Sequence, residues 1–335
     1  MHYKGKLTLE NHNENKEKMH CSIESLNVND LIDSESFEIS RLDDASVIDG
    51  KVVLVTGAAG SIGAEITRAL MMFRPSRIIA LDFAETPMFY LKMNLQKDER
   101  YSKQNIDFVL ADIRDAKFIN HLFEKYKPSL IYHAAAYKHV PLMEESPYEA
   151  SYVNVFGTKN LVDAAIANGV EKFMMISTDK AINPTSVMGA TKRLAEIYVQ
   201  SRRTRTTRFI SVRFGNVLNS NGSVLPIFME QIKNGGPLTV TSKEMTRFFM
   251  TIKDAAGLVI ESTRIGTSGD MFMFKIDRPL KIYDLAKRLL KLTNSDGIEI
   301  KEIGIRKGEK IYEEFPCNDE NCEVTENKKI LRVSV

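Results

Sequence analysis

The sequence is short of cysteine, of net charge and of long apolar runs, and each shortage closes off a class of function. Three cysteines, Cys21, Cys317 and Cys322, are scattered through 335 residues. An odd, scattered set builds neither a disulfide framework nor a zinc-ligand spacing, so a reducing cytoplasm and no metal centre are expected. The formal net charge is only +2. A nucleic-acid binder would carry a basic excess on one domain, and this balance argues against one. No apolar stretch is long enough for a signal peptide or a membrane span. No internal repeat is visible. A hydrophobic fraction of 43% is ample for a packed core. The length fits one large α/β domain with a smaller appended lobe, or two domains.

Residues 1–48 are polar and acid-rich, and read as an arm that is disordered or packs on a neighbouring surface, with a short helical patch around Leu31. From residue 49 to 214, short β-branched runs alternate with amphipathic segments. Strands are predicted over residues 51–55, 77–81, 106–110, 129–133, 172–177 and 208–214. Helices are predicted over 61–73, 87–95, 116–125, 153–168 and 188–203. This alternation implies a doubly wound parallel (Rossmann) sheet whose strand C-termini share one ligand-binding edge. After Arg213 the alternation breaks down, and residues 215–335 read as a smaller mixed lobe that binds substrate, with helices near 253–263 and 282–292.

The first strand runs into Thr56-Gly57-Ala58-Ala59-Gly60-Ser61-Ile62-Gly63. Here Gly57 permits a tight turn, Gly60 lets the backbone approach a pyrophosphate, and Gly63 lets helix and strand pack closely. Free N–H groups at the helix start, Ser61 and Ile62 among them, complete a dinucleotide site. Asp82 ends the second strand, about 20 residues further on, where an acid meets a ribose 2′-hydroxyl and repels a 2′-phosphate, which favours NAD over NADP. Asp112 and Ile113 follow the third strand and are placed toward the adenine. Asp112 has a competing reading as a helix N-cap, with Asp115 as its rival for that job. Ala134, Ala135 and Ala136 let the backbone pass close to the cofactor, while His133 reads as a buried, hydrogen-bonded histidine.

Several ungapped motifs carry a resemblance. They are the run from Ala134 to Glu144, Ser177-Thr178-Asp179-Lys180-Ala181, Arg213-Phe214-Gly215-Asn216-Val217-Leu218, the run from Glu244 to Thr251, and Gly308-Glu309-Lys310-Ile311-Tyr312-Glu313-Glu314. Together they resemble the CapD-like nucleotide-sugar 4,6-dehydratases of the extended short-chain dehydrogenase/reductase superfamily, over about residues 50–315 and in the part that corresponds to their soluble catalytic domain. Most of that superfamily carries Tyr four residues before Lys192; this chain carries Met188, which has no proton to give.

The resemblance implies that a hydride leaves sugar C4 for NAD⁺, that water is then eliminated across C5 and C6, and that the hydride returns to C6. By resemblance Lys180 is the C5 base and must be neutral, and Asp179 is the acid for the leaving hydroxyl and must be protonated. As adjacent groups they would titrate together. Lys192 would bond the nicotinamide ribose, and Thr178 the sugar O4. Met188 would pack against substrate or nicotinamide. Family members with Met in this position tend to retain C5 geometry, so the implied substrate is UDP-N-acetylglucosamine and the implied product its 4-keto-6-deoxy derivative with C5 retained.

Two negative phosphates call for cations. Arg247 resembles the family's diphosphate ligand. Arg213 is a second candidate, with a structural pairing at the sheet edge as its alternative. Lys138, Asn216 and Ser223 offer hydrogen bonds, and Glu309 is placed toward the uridine ribose. The resemblance also implies a homo-oligomer formed through the helices at 153–168 and 188–203. The rival readings are a C5-inverting dehydratase, a nucleotide-sugar 4-epimerase, which needs no C5 base, and a non-catalytic nucleotide-binding sensor.

Overall fold

Six short apolar runs become six parallel strands: β1 (Val52–Thr56), β2 (Arg77–Asp82), β3 (Ile106–Leu110), β4 (Leu130–His133), β5 (Lys172–Ile176) and β6 (Arg208–Arg213). Unbroken apolar strands suit a sheet covered by helices on both faces. The computed structural model describes residues 31–32, 37, 44–202, 204–276, 278–314 and 322–334. Cys21, Cys317 and most of the polar arm fall outside them. The strands run in the order β3-β2-β1-β4-β5-β6, all parallel. The order reverses between β1 and β4, and the crevice beyond their C-terminal ends is where such sheets bind ligands. The Rossmann expectation is met.

The expected division at residue 215 is corrected. Three later strands return to the same sheet: β7 (Met271–Phe274), β8 (Cys322–Val324) and β9 (Ile330–Val333). β7 pairs in parallel with β6, β9 antiparallel with β7, and β8 antiparallel with β9. The helix Ile252–Ile265 also packs back against the helix Ser61–Leu70. Runs of three or four residues carry little periodicity of their own, and only the open edge of β6 gives them a place. The lobe proper has a separate core in which Leu225, Phe228, Leu238, Leu285 and Leu289 meet. Its helix Val224–Lys233 was not predicted, because Gly222 and Pro226 read as breakers. Pro226 lies in the first turn, where a missing N–H costs nothing.

The described arm residues do pack. Leu31 is fully buried in the lobe core, and its carbonyl accepts a hydrogen bond from Arg288 at 3.2 Å. The Phe37 N–H donates to Asp254 at 2.6 Å, beside the main core. The expected helix at 153–168 is present, but it opens as a π turn over Tyr152–Gly157 before the α-helix Thr158–Ala167. Inside that turn the Asn154 amide accepts from the Tyr137 N–H at 2.8 Å and donates to the Tyr137 carbonyl at 3.0 Å. This fixes the loop that follows β4.

One buried residue ties the helix Val187–Ser201 to the sheet. Glu196, on the helix Val187–Ser201, accepts from the Ser177 hydroxyl at 2.6 Å, after β5. It also takes two bonds from Arg213 at the end of β6, from Nε at 2.8 Å and from Nη2 at 2.7 Å. Both partners of this ion pair are fully buried. Among the described residues no helix is long and apolar enough to cross a membrane, and no group of three His, Cys, Asp or Glu side chains could hold a metal.

Removing one partner of such a pair leaves a buried, uncompensated charge. Glu196→Ala should therefore lower the unfolding free energy by about 3–5 kcal/mol in a urea titration at pH 7. A loss below about 1 kcal/mol, the scale of an exposed pair, would remove this pair from its central place.

Candidate active site

The glycine turn forms as its residue types require. Gly57 has φ +66°, and a Cβ there would stand 2.5 Å from the Ala135 nitrogen. A Cβ on Gly63 would run into the Gly57 carbonyl. The turn is braced by Asp82, whose carboxylate accepts from the Ala59 N–H at 3.0 Å and the Ala84 N–H at 3.0 Å. A groove beyond this turn is lined by Gly57, Gly60, Asp82, Asp112, Ile113 and Ala134 to Ala136. It continues past Ser61, Ile62 and Gly63 to Thr178, Lys180, Met188 and Lys192. The cradle that only glycine and alanine permit fits a dinucleotide lying over the sheet edge. Asp115 is the helix cap, accepting from the Phe118 N–H at 3.0 Å. Asp112 is thereby left at the groove, paired with Arg114 at 2.6 Å. His133 is buried between the Thr56 and Thr158 hydroxyls, at 2.8 Å from each, and burial pulls its imidazole down to about 3, so it is neutral.

Lys192 is 5% exposed, and its ammonium donates to the Ile176 carbonyl at 2.8 Å. Burial, only partly offset by Glu196 one turn away, pulls it down to about 8. Met188 packs with Met143 and Ala150 and faces the same groove. A Cβ on the adjoining Gly189 would strike the Lys180 carbonyl, so the helix approaches the Asp179–Lys180 turn as closely as backbone allows.

A second cleft opens toward the lobe. Lys138, Asp179, Lys180, Asn216, Ser223, Arg247 and Glu309 line it, and Lys138, Lys180, Asn216 and Ser223 also line the groove, so the two join. Asp179 and Lys180 sit in a single 3-10 turn after β5, 3.0 Å apart. Thr178 donates its hydroxyl to Asp179 at 2.8 Å. The Ser223 hydroxyl is buried without a partner, and Lys138 reaches Ser220 at 3.3 Å. Arg213 is corrected: it is fully buried against Glu196, lines neither cleft, and its alternative reading as a structural pair is the right one.

In the free site Asp179 and Lys180 hold their protons the other way round from that expectation. A residue without an assigned role, Glu313, reaches in from the lobe. Its carboxylate lies 2.6 Å from the Lys180 ammonium, 3.0 Å from the Arg247 guanidinium and 2.9 Å from the Asn216 amide nitrogen. Burial disfavours the Lys180 ammonium, but Asp179 and Glu313 outweigh burial and hold it above the ordinary lysine value. Burial likewise pushes Asp179 up, yet Lys180 and the surrounding hydrogen bonds leave it below the usual carboxylate range. The carboxyl that does rise is Glu313, to about 7, first through burial and then through Asp179. Arg247 is engaged as well, with Nη2 donating to the Lys310 carbonyl at 2.8 Å and Nη1 to the Thr246 carbonyl at 2.7 Å. Two signals in the sequence pointed to the missed residues. Glu313 lies inside the Gly308–Glu314 motif, and Glu196 stands four residues after Lys192 on one helix face.

The profile of a family described as polysaccharide biosynthesis protein matches residues 53–335. The chain belongs to this polysaccharide biosynthesis protein family. It is 45% identical over 300 residues to the capsular polysaccharide biosynthesis protein CapD of Staphylococcus aureus, covering 88% of this chain and 50% of that protein. The chain thus spans about half the length of that relative. It is 37% identical over 289 residues to a UDP-glucose 4-epimerase of Rickettsia rickettsii, covering 84% of this chain and 82% of the other. Among solved structures, Pen from Bacillus thuringiensis superposes with a TM-score of 0.75 at 36% identity, over 80% of this chain and 83% of that one. DesIV, a dTDP-glucose 4,6-dehydratase from Streptomyces venezuelae solved with NAD, superposes with a TM-score of 0.70 at 22% identity, over 78% and 86% of the two chains, and shares the fold. The names of these relatives and neighbours divide between polysaccharide biosynthesis, UDP-glucose 4-epimerisation and dTDP-glucose 4,6-dehydration, on one shared fold.

The depressed Lys192 value carries a sign. Between about pH 8 and the unfolded lysine value, the unfolded chain holds a proton that the folded chain has released, so Lys192 makes stability rise with pH there. The difference in unfolding free energy between the wild type and Lys192→Met should shift in favour of the wild type from pH 7.5 to 9.5. Parallel urea curves for both proteins across that range would contradict the depressed value.

Proposed function

We propose that this chain catalyses 4,6-dehydration of a UDP-N-acetylhexosamine, with UDP-N-acetylglucosamine as substrate, recycled NAD as cofactor and C5 geometry retained. The observation that carries this reading is the Asp179–Lys180 pair, 3.0 Å apart where the dinucleotide groove meets the lobe cleft, beside Met188 and Lys192. Gly57, Gly60, Ser61, Ile62 and Gly63 cradle the pyrophosphate, with Asp82 and Asp112 toward the adenosine end. NAD supplies a hydride acceptor and donor in this site. Lys192, cationic below about pH 8, orients the nicotinamide ribose. Thr178 holds the sugar O4, and with Met188 unable to take a proton, that oxygen loses its proton through Thr178 and an ordered water. Lys180 removes the C5 proton and Asp179 protonates the C6 oxygen as it leaves. Arg247, Lys138 and Ser223 hold the diphosphate, and Glu309 the uridine ribose.

The Rickettsia relatives favour a second reading, a UDP-sugar 4-epimerase. An epimerase has no use for a base and an acid at C5 and C6, so the Asp179–Lys180 pair weighs against it. Proton NMR of the protein with UDP-N-acetylglucosamine in D₂O separates the two. A dehydratase gives a C6 methyl signal with deuterium at C5, and Asp179→Asn and Lys180→Ala each lose it by at least about a hundredfold. An epimerase gives a C4 epimer with no methyl. Inverted C5 geometry would remove the argument from Met188.

We further propose a homo-oligomer through the helices expected to assemble it. Tyr148, Tyr152 and Phe156 are exposed, as are Leu194 and Ile197 on the catalytic helix. Tyr152→Glu should shift the mass in light scattering to that of a single chain, whereas an unchanged mass places the contact elsewhere.

A further inference from the structure

Three groups crowd around the Lys180 ammonium in the lobe cleft. Asp179 is 3.0 Å from it, Glu313 is 2.6 Å from it, and the Asn216 side-chain oxygen Oδ1 is 3.4 Å from it. They come from three different parts of the chain: the turn after β5, the Gly308–Glu314 segment, and the strand Asn216–Val217. Arg247, on a fourth element, stands 3.0 Å from the same Glu313 oxygen that faces Lys180. The Asp179 and Glu313 carboxyls both line this cleft. Asp179 Oδ2 is buried without a hydrogen-bond partner, and Glu313 Oε1 meets the two cations.

We propose that Glu313 is a positioning residue that sets the proton distribution of the site: when its carboxyl is neutral, the Lys180 proton moves to Asp179. The inference rests on the dehydratase reading for its use but not for its chemistry. The proton count is fixed throughout. With Glu313 protonated, the cluster holds an ammonium on Lys180 and a carboxylate on Asp179. One N–H bond on Lys180 breaks and one O–H bond forms on Asp179 Oδ1, across 3.0 Å. The products are a neutral amine and a neutral carboxylic acid, the base and the acid that elimination across C5 and C6 requires. An ionised Glu313 at 2.6 Å holds the proton on Lys180 and blocks the transfer. Arg247 helps by leaving an excess of positive charge once Glu313 is neutral. That excess makes the Lys180 proton easier to lose. Burial, which pushes Glu313 up to about 7, makes both of its states accessible near neutral pH.

The test uses Glu313→Gln, which fixes the neutral state, and Glu313→Asp, which keeps a titrating carboxyl. The first readout needs no substrate. Competitive acetylation with trace acetic anhydride from pH 6 to 10, read by mass spectrometry, reports the proton affinity of Lys180. In Glu313→Gln, labelling of Lys180 at pH 8 should rise about tenfold, one pKa unit, with the exposed Lys307 as an unchanged internal standard. The second readout is the pH profile of turnover with UDP-N-acetylglucosamine and NAD⁺. Wild type and Glu313→Asp should lose activity by about tenfold per pH unit above an alkaline limb, and Glu313→Gln should lack that limb while remaining active at pH 6. Unchanged Lys180 labelling in Glu313→Gln overturns the proposal, whatever the turnover. Increased labelling with no turnover of UDP-N-acetylglucosamine in any of the proteins upholds the proton coupling and counts against the dehydratase reading instead. Glu313→Ala, which also removes the negative charge, serves if the glutamine variant fails to fold, with the same rise in Lys180 labelling expected and an unchanged curve overturning the proposal.

Discussion

The buried Glu196–Arg213 pair is the contact on which the geometry of the site depends. With the Ser177 hydroxyl it joins the helix Val187–Ser201 to the ends of two adjacent strands through three buried hydrogen bonds. A buried ion pair is weak evidence of net stabilisation, because desolvation opposes the Coulomb gain. Its worth here is directional. Lys192 lies one turn before Glu196 and Met188 two turns before it, so fixing Glu196 fixes where both side chains enter the groove. The close approach of Gly189 to the Lys180 carbonyl then sets the distance between the helix and the Asp179–Lys180 turn.

Around that frame the charges divide into two sets with different solvation. Lys192 stands in a mainly apolar wall, with Glu196 already committed to Arg213, so burial lowers its affinity for a proton. Lys180 stands between two carboxylates, and their field outweighs its burial. The same residue type, lining one groove, is therefore weakened as a cation in one place and strengthened in the other. A lysine's burial alone does not predict the direction of its shift; the nearest unpaired carboxylate decides it.

The lobe contributes more than a wall for the cleft. Its segment Gly308–Glu314 brings Glu313 to the floor of the site and passes its backbone across the Arg247 guanidinium. The lobe core in turn encloses Leu31 from the arm, while Phe37 reaches the main core. Sheet, lobe and arm thus share one continuous set of contacts. The last strands of the chain complete the main sheet rather than the lobe.

Much of this molecule was legible in the order of its residues. The six parallel strands follow from short β-branched runs, because an apolar run of that length has no other way to bury both faces. The glycine turn follows from the spacing of Gly57, Gly60 and Gly63, since no other residue fits that backbone. The motif Ser177-Thr178-Asp179-Lys180 is contiguous, so its members had to lie together wherever the turn went. Tertiary structure alone decided the rest. Arg213 reads as a phosphate ligand until Glu196 is seen to consume its charge. The protonation of Asp179 and Lys180 cannot be read from their adjacency, because it depends on a third carboxyl more than a hundred residues away in the chain. β7, β8 and β9 are too short to declare themselves, and only the open edge of β6 gives them a place. Local pattern fixes backbone, whereas charge state and edge pairing depend on which distant groups arrive in the same few ångströms.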